Sequence, residues 1–219
     1  ELVDQRVLEI KNVGYQYPNS INASLKNVSI TLEKGLMYAI VGPSGAGKTT
    51  FVDVCLGLIK PTSGEVVEID SGIRYAYVPQ HTHLSSVSLK GNVAIEWDDR
   101  LINDDLADTA MRQALIENVF DGRKDDENSS AMSGGQMQRI GIARALYRKP
   151  NFLVLDEATN ALDASTEHEI VGLVENLRST MTILVVAHRL STVRNADKVI
   201  YFESEHRRRR QQVRLQGWH

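Results

Sequence analysis

The segment Gly42-Pro43-Ser44-Gly45-Ala46-Gly47-Lys48-Thr49 constrains this chain more than any other. It follows the apolar run Leu36-Met37-Tyr38-Ala39-Ile40-Val41 and opens a stretch with helical spacing, framed at its end by Gly57 and Pro61. An apolar run ending in a glycine cluster suits a strand buried on both faces. Glycines let the backbone wrap a phosphate chain at dihedrals that other residues avoid. The freed N–H groups, and the start of the helix that follows, offer positive potential to an anion. The pattern G-x-x-x-x-G-K-[ST] between strand and helix therefore reads as a phosphate loop. Lys48 is expected to reach the β- and γ-phosphates, and the Thr49 hydroxyl to ligate Mg²⁺. Thr50 belongs to the same binding set. A glycine-rich turn with a chance lysine is the bland alternative, and the strand–loop–helix context weighs against it.

Glycine and proline punctuate a β/α pattern along the rest of the chain. Strands are expected over 36–41, 66–69, 73–78, 152–155, 182–187 and 199–202, and a helix over 48–58. Between residues 82 and 149 strand signals vanish and helical periodicity takes over, over 105–117 and 136–147. The expectation is an α/β core of a mixed sheet with flanking helices, formed by residues 1–81 and 150–205, with an inserted helical subdomain at 82–149. Residues 121–130 read as a polar loop, and 206–219, with five arginines and no acid, as a solvated or disordered basic tail.

A second constellation supports the phosphate loop. Phe152-Leu153-Val154-Leu155 is followed by Asp156 and Glu157. A buried strand would deliver both carboxylates to its C-terminal edge, where open α/β sheets place their ligands. Asp156 can then hold Mg²⁺ through its water shell, and Glu157 can orient or deprotonate an attacking water.

Composition excludes more than it assigns. Hydrophobic residues make up 42% and charged residues 24% of 219, which is ordinary for a globular protein. The net charge of −3 gives no global basic field, so no nucleic-acid partner is expected. Cys55 is the single cysteine and cannot form an internal disulfide, which favours a reducing compartment. No apolar stretch approaches the roughly 20 residues that a bilayer span needs. The chain opens at Glu1 rather than methionine, in keeping with a piece of something larger.

Three further segments make the sequence resemble the ATP-binding cassette (ABC) ATPases. Met132-Ser133-Gly134-Gly135-Gln136 resembles the signature L-S-G-G-Q, with methionine where leucine is usual. Ser133 and Gln136 also fit a capping box at an ordinary helix start, and the two readings are compatible. Tyr77-Val78-Pro79-Gln80 resembles the Q-loop, whose glutamine reaches Mg²⁺ or the attacking water. Ala187-His188-Arg189-Leu190-Ser191-Thr192 is similar to the H-loop, whose histidine contacts the γ-phosphate. Asn160-Ala161-Leu162-Asp163 resembles the D-loop at the dimer seam, with Asn160 in place of serine. Tyr17 resembles the aromatic residue that stacks on adenine, and Tyr15, on the same face of a strand, is the runner-up.

The resemblance covers about residues 7–203 and looks most like exporter-type cassettes. It implies ATP and Mg²⁺ as cofactors, and two copies, or this domain and an equivalent one, sandwiching two ATP molecules. It also implies a transmembrane partner or fused domain holding the chain at the cytoplasmic face of a membrane. Three departures bear on coupling. The stretch 64–80 is short, the loop 122–131 lacks the pattern usual before an exporter signature, and the basic tail stands where terminal helices are usual. Rival readings are a soluble ABC-type ATPase acting on nucleic acid, suggested by Arg207–Arg210, a nucleotide-binding module without turnover, and a kinase or GTPase with the same phosphate loop.

Overall fold

A computed structural model describes residues 4–116, 132–157, 164–178, 180–187, 189–203 and 213–217. Five apolar runs become the parallel strands β3 (Met37–Val41), β5 (Tyr75–Val78), β6 (Phe152–Asp156), β7 (Thr182–Val186) and β8 (Lys198–Phe202). With β9 (Val213–Gly217) they form a six-stranded sheet in the order β5-β6-β7-β3-β8-β9. Successive residues of β3 go to opposite faces, as the period of two requires. Met37 and Ala39 join one hydrophobic cluster, and Tyr38 and Ile40 join the other.

The two faces are covered by different material. One carries α4 (Gly134–Tyr147) and α5 (Ala164–Leu177), through residues such as Ile140, Ala143, Ile170 and Leu173. The other carries α1 (Lys48–Cys55), whose Phe51, Val52, Val54 and Cys55 are buried. It also carries a three-stranded antiparallel sheet of β1 (Arg6–Tyr15), β2 (Leu25–Glu33) and β4 (Ser63–Glu68), in the order β2-β1-β4. The central strands are therefore dry on both sides, which is why they read as continuous apolar runs. The short helices α2 (Leu89–Ala94) and α3 (Asp104–Gln113) pack against each other and against α4, and α6 (Leu190–Arg194) follows β7. Among the described residues no helix is long and apolar enough to cross a membrane.

Two departures from the sequence expectations have local causes. Of β1 only a strand through Tyr15 and Tyr17 was expected, and β2 was not expected. Each carries an asparagine at positive φ, Asn12 at 49° and Asn27 at 52°, and their pairing shifts register between Ile10 and Val13. In β1 the bulge breaks the alternation that identifies a strand, whereas in β2 the alternation of Val28, Ile30 and Leu32 survives past Asn27. The basic stretch 206–219 is not irregular throughout, because β9 pairs antiparallel with β8 from Phe202↔Val213 to Lys198↔Gly217. In sequence, Val213 and Leu215 alternate with Arg214 and Gln216, a short strand pattern that the arginine content masks.

Opposite the β1 bulge sits Gly64 of β4, at φ 73°. A Cβ there would lie 2.3 Å from the Lys11 carbonyl oxygen and 2.4 Å from that of Asn12. Both are backbone atoms and cannot swing away. Gly64→Ala is expected to lower the unfolding free energy by about 2–4 kcal/mol. The readout is the urea midpoint at unchanged slope. An unmoved midpoint would mean that the β1–β4 pairing yields freely.

Candidate functional site

The phosphate loop spans the turn from β3 into α1, and its glycines do different work. Gly42 (φ 152°) passes so close to β8 that a Cβ would lie 2.4 Å from the Phe202 carbonyl oxygen. Gly45 (φ 76°) has nothing within 4 Å of its Cβ position, so the loop is open there. Gly47 (φ 96°) begins α1 with no side-chain cap. The first N–H groups of a helix have no intrahelical partner and suit an anion. Pro43 and Ser44 are exposed on the loop, and Ala46 is buried.

Lys48 is only 7% exposed. Its Nζ donates to the carbonyl oxygens of Gly42 (2.9 Å) and Pro43 (3.0 Å). An ammonium has three N–H donors, so the loop's own carbonyls hold the charge inside the loop and leave one donor for a ligand. Thr49 is exposed. Thr50 is buried, and its Oγ1 lies 3.2 Å from the Tyr17 hydroxyl. Tyr17 thus stands at the start of α1. It lies past the end of β1, so the shared-strand-face argument for Tyr15 and Tyr17 does not hold. Instead their rings meet edge to face, with centroids 4.9 Å apart at 86°. Tyr17 is the more open of the two, at 42% exposure.

Register brings the other motifs to the same sheet edge. Asp156 of β6 pairs with Val186 of β7, which pairs with Ile40 of β3. Neighbouring strands lie about 4.8 Å apart, so the Asp156 backbone is about 10 Å from Ile40, one residue short of the end of β3. The Ala187 N–H donates to the Ile40 carbonyl at 2.9 Å. Val78, at the end of β5, pairs with Leu155, so Gln80 leaves from this edge too, and it is exposed. Glu157 follows Asp156 at φ 51°, a conformation that non-glycine residues adopt only at a cost, and its N–H donates to Val186 O at 3.3 Å.

Two residues without an assigned role gather around Asp156. The Tyr77 hydroxyl donates to Asp156 Oδ2 at 2.9 Å. Burial, and then that hydrogen bond, push the Tyr77 phenol above its ordinary range, so it stays a donor. Burial, and then the charge of Asp156, raise the Asp53 carboxyl. Asp53 lies four residues after Thr49 on α1, which puts the two on one helix face. That spacing is the one sequence signal for Asp53. Tyr77 had no such signal, because it stands across from Val154, two residues before the acid, only through the pairing of β5 with β6.

Ser133 caps α4, and both halves of the capping box are present. The Gln136 N–H donates to Ser133 Oγ at 3.3 Å, and the Ser133 N–H donates to Gln136 Oε1 at 2.9 Å. Gly134 is exposed. Gly135 is buried against α5, where a Cβ would lie 2.2 Å from Thr166 Cγ2. Further along α4, Gln138 Nε2 donates to Pro79 O at 3.4 Å, tying this helix to the segment of Gln80. Among the described residues Ser133–Gln136 share no hydrogen bond with Lys48, so one chain does not join its signature segment to its own phosphate loop in that way. His188, Asp163 with Asn160, the loop 122–131 and Arg207–Arg210 lie outside the described residues.

Comparison with known proteins gives a consistent result. The ABC transporter family model matches residues 25–160. Curated relatives include ABC transporter B family member 13 of Arabidopsis thaliana, 34% identical over 209 residues, covering 88% of this chain and 17% of the relative. The ATP-dependent lipid A-core flippase of Bordetella avium is 36% identical over 213 residues, covering 90% and 36%. The chain thus spans little more than a third of these relatives at most. A bacterial Atm1-family ABC exporter solved with ATP bound superposes with a TM-score of 0.76 at 28% identity, covering 92% of this chain and 38% of that one. The cbiO1 protein of Clostridium perfringens, part of the ABC transporter complex cbiONQ, superposes at 0.80 with 25% identity, covering 98% and 89%.

Proposed function

The chain belongs to the ABC transporter family, and from that premise we propose that it is the ATP-binding and ATP-hydrolysing domain of an exporter-type transporter. The observation that carries the reading is the shared sheet edge, where the phosphate loop, Asp156, Glu157 and the segment of Gln80 emerge from neighbouring strands. Residues 1–81 and 150–205 form its nucleotide-binding core, and 82–149 its helical part.

Each residue has a task in this site. The N–H groups at the start of α1 and the Lys48 ammonium bind the phosphates, and Tyr17 stacks on adenine. The fit to Mg²⁺ rests on the exposed Thr49 hydroxyl and the Asp156 carboxylate, oriented by Tyr77, with Gln80 completing the set. The ion, when bound, neutralises charge developing on the β- and γ-phosphate oxygens. Glu157 accepts the proton of the attacking water, and His188 donates to the γ-phosphate. The start of α4, with bare N–H groups at Gly134 and Gly135, offers an anion site to the ATP of a second copy. Asp163 lies at the seam between the two. A transmembrane domain, fused or separate, receives the motion at the cytoplasmic face of the membrane.

Phosphate release from MgATP by the purified chain tests this reading. Turnover is expected to saturate with ATP and to rise per chain with protein concentration, because each site needs two chains. A rate per chain that does not change with concentration would sink the paired site, and release no faster than in buffer would sink the ATPase.

A further inference from the structure

The residues on either side of position 188 are held by two unrelated parts of the fold. Before it, the Ala187 N–H is bonded to Ile40 of β3, at the foot of the phosphate loop. After it, Arg189 and Ser191 are both bonded to Glu167 of α5. Both oxygens of the carboxylate are engaged. One oxygen accepts from the Arg189 guanidinium and the other from the Ser191 hydroxyl. Glu167 is buried, with its side chain 11% exposed. The Ser191 hydrogen bond, and then Arg189, hold its carboxyl below the ordinary range, so it is charged at neutral pH.

Arg189 is also the residue that starts α6, a five-residue helix with no side-chain cap of its own. So short a helix has little stability by itself. Its position therefore depends on what grips its first turn, and Glu167 grips both the cap residue and the second helical residue. The support behind Glu167 is firm. Thr166 packs on Gly135, and Glu169 pairs with the buried Arg139 of α4. α5 further buries Ile170, Val171, Leu173, Val174 and Leu177.

We propose that Glu167 is a positioning residue for hydrolysis, fixing the backbone that presents His188 by clamping Arg189 and Ser191. This rests on the ATPase reading above. Glu167 touches no substrate and acts through its two partners. Glu167→Gln keeps an acceptor for Ser191 but sets an amide N–H or a neutral oxygen against Arg189.

The test combines kinetics, epistasis and hydrogen exchange on the full chain. Glu167→Gln is expected to lower kcat about 10- to 100-fold, with ATP affinity held within about twofold. Ser191→Ala should fall part of the way, and Ser191→Thr should restore turnover. In a His188→Ala background, Glu167→Gln should cost less than about twofold more, because the two act as one unit. Amide exchange over 187–193 should speed up in Glu167→Gln while the central strands stay protected. Losses that multiply in the double variant, or unchanged exchange over 187–193, would overturn the positioning role and leave the ATPase reading standing. Turnover that survives Glu167→Gln would do the same. A wild-type chain without turnover would overturn both.

Discussion

The Glu157→Gln chain is expected to bind ATP as the wild type does and to hydrolyse it about 10²- to 10⁴-fold more slowly. The substitution is close to isosteric. Position 157 sits at φ 51°, a strained region for either side chain, so the exchange changes little in the backbone preference. The hydrogen bond from its N–H to Val186 O is main chain and is untouched. What is lost is a carboxylate that can take a proton from water. Phosphate release measures the loss, and equilibrium binding of a fluorescent ATP analogue measures retained affinity. Sedimentation with MgATP adds a third reading: without turnover the nucleotide-bound pair should persist. Undiminished turnover would remove Glu157 from the role of base.

The strain at Glu157 also shows what local sequence can and cannot carry. The apolar runs of β3, β6 and β7 are continuous because both sheet faces are covered, and they were legible without any tertiary information. The phosphate loop was legible for the same reason, since its chemistry is confined to eight consecutive residues. β1 was not, because Asn12 interrupts its alternation with a bulge that only pairing explains, whereas Val28, Ile30 and Leu32 of β2 do alternate with Ser29 and Thr31 and left a strand signal in the sequence. α5 is a different case. Ile170, Leu173, Val174 and Leu177 have clean helical spacing, a signal present in the sequence and overshadowed by the motifs around it.

The partners of the site residues were the least legible part. Tyr77 and Asp156 are 79 residues apart in sequence, and Glu167 and Ser191 are 24 apart. No periodicity within one element encodes such pairs. They follow from sheet order, which places β5 beside β6, and from the packing of α5, which sets Glu167 against the segment after β7. Motif spacing named the candidate reacting groups. The groups that orient them came only from the fold.

Lys48 separates binding from chemistry in the way that Glu157 cannot. Lys48→Ala is expected to weaken ATP binding about 10- to 100-fold, the worth of one or two hydrogen bonds to a charged group. Turnover should fall with it, since the same ammonium meets the charge that grows on the transferring phosphoryl. A stability cost of about 1 kcal/mol is expected as well, because the carbonyls of Gly42 and Pro43 lose their donor. Lys48→Arg decides between charge and geometry. The ammonium is a compact donor held at 2.9 and 3.0 Å from two loop carbonyls in a space that leaves it 7% exposed. A planar guanidinium keeps the charge but does not fit that space. Arginine should therefore behave like alanine in the equilibrium binding assay. If arginine restores affinity, net charge near the phosphates is what matters and the two carbonyl bonds are incidental. If alanine binds ATP as tightly as lysine, the phosphates do not sit on this loop.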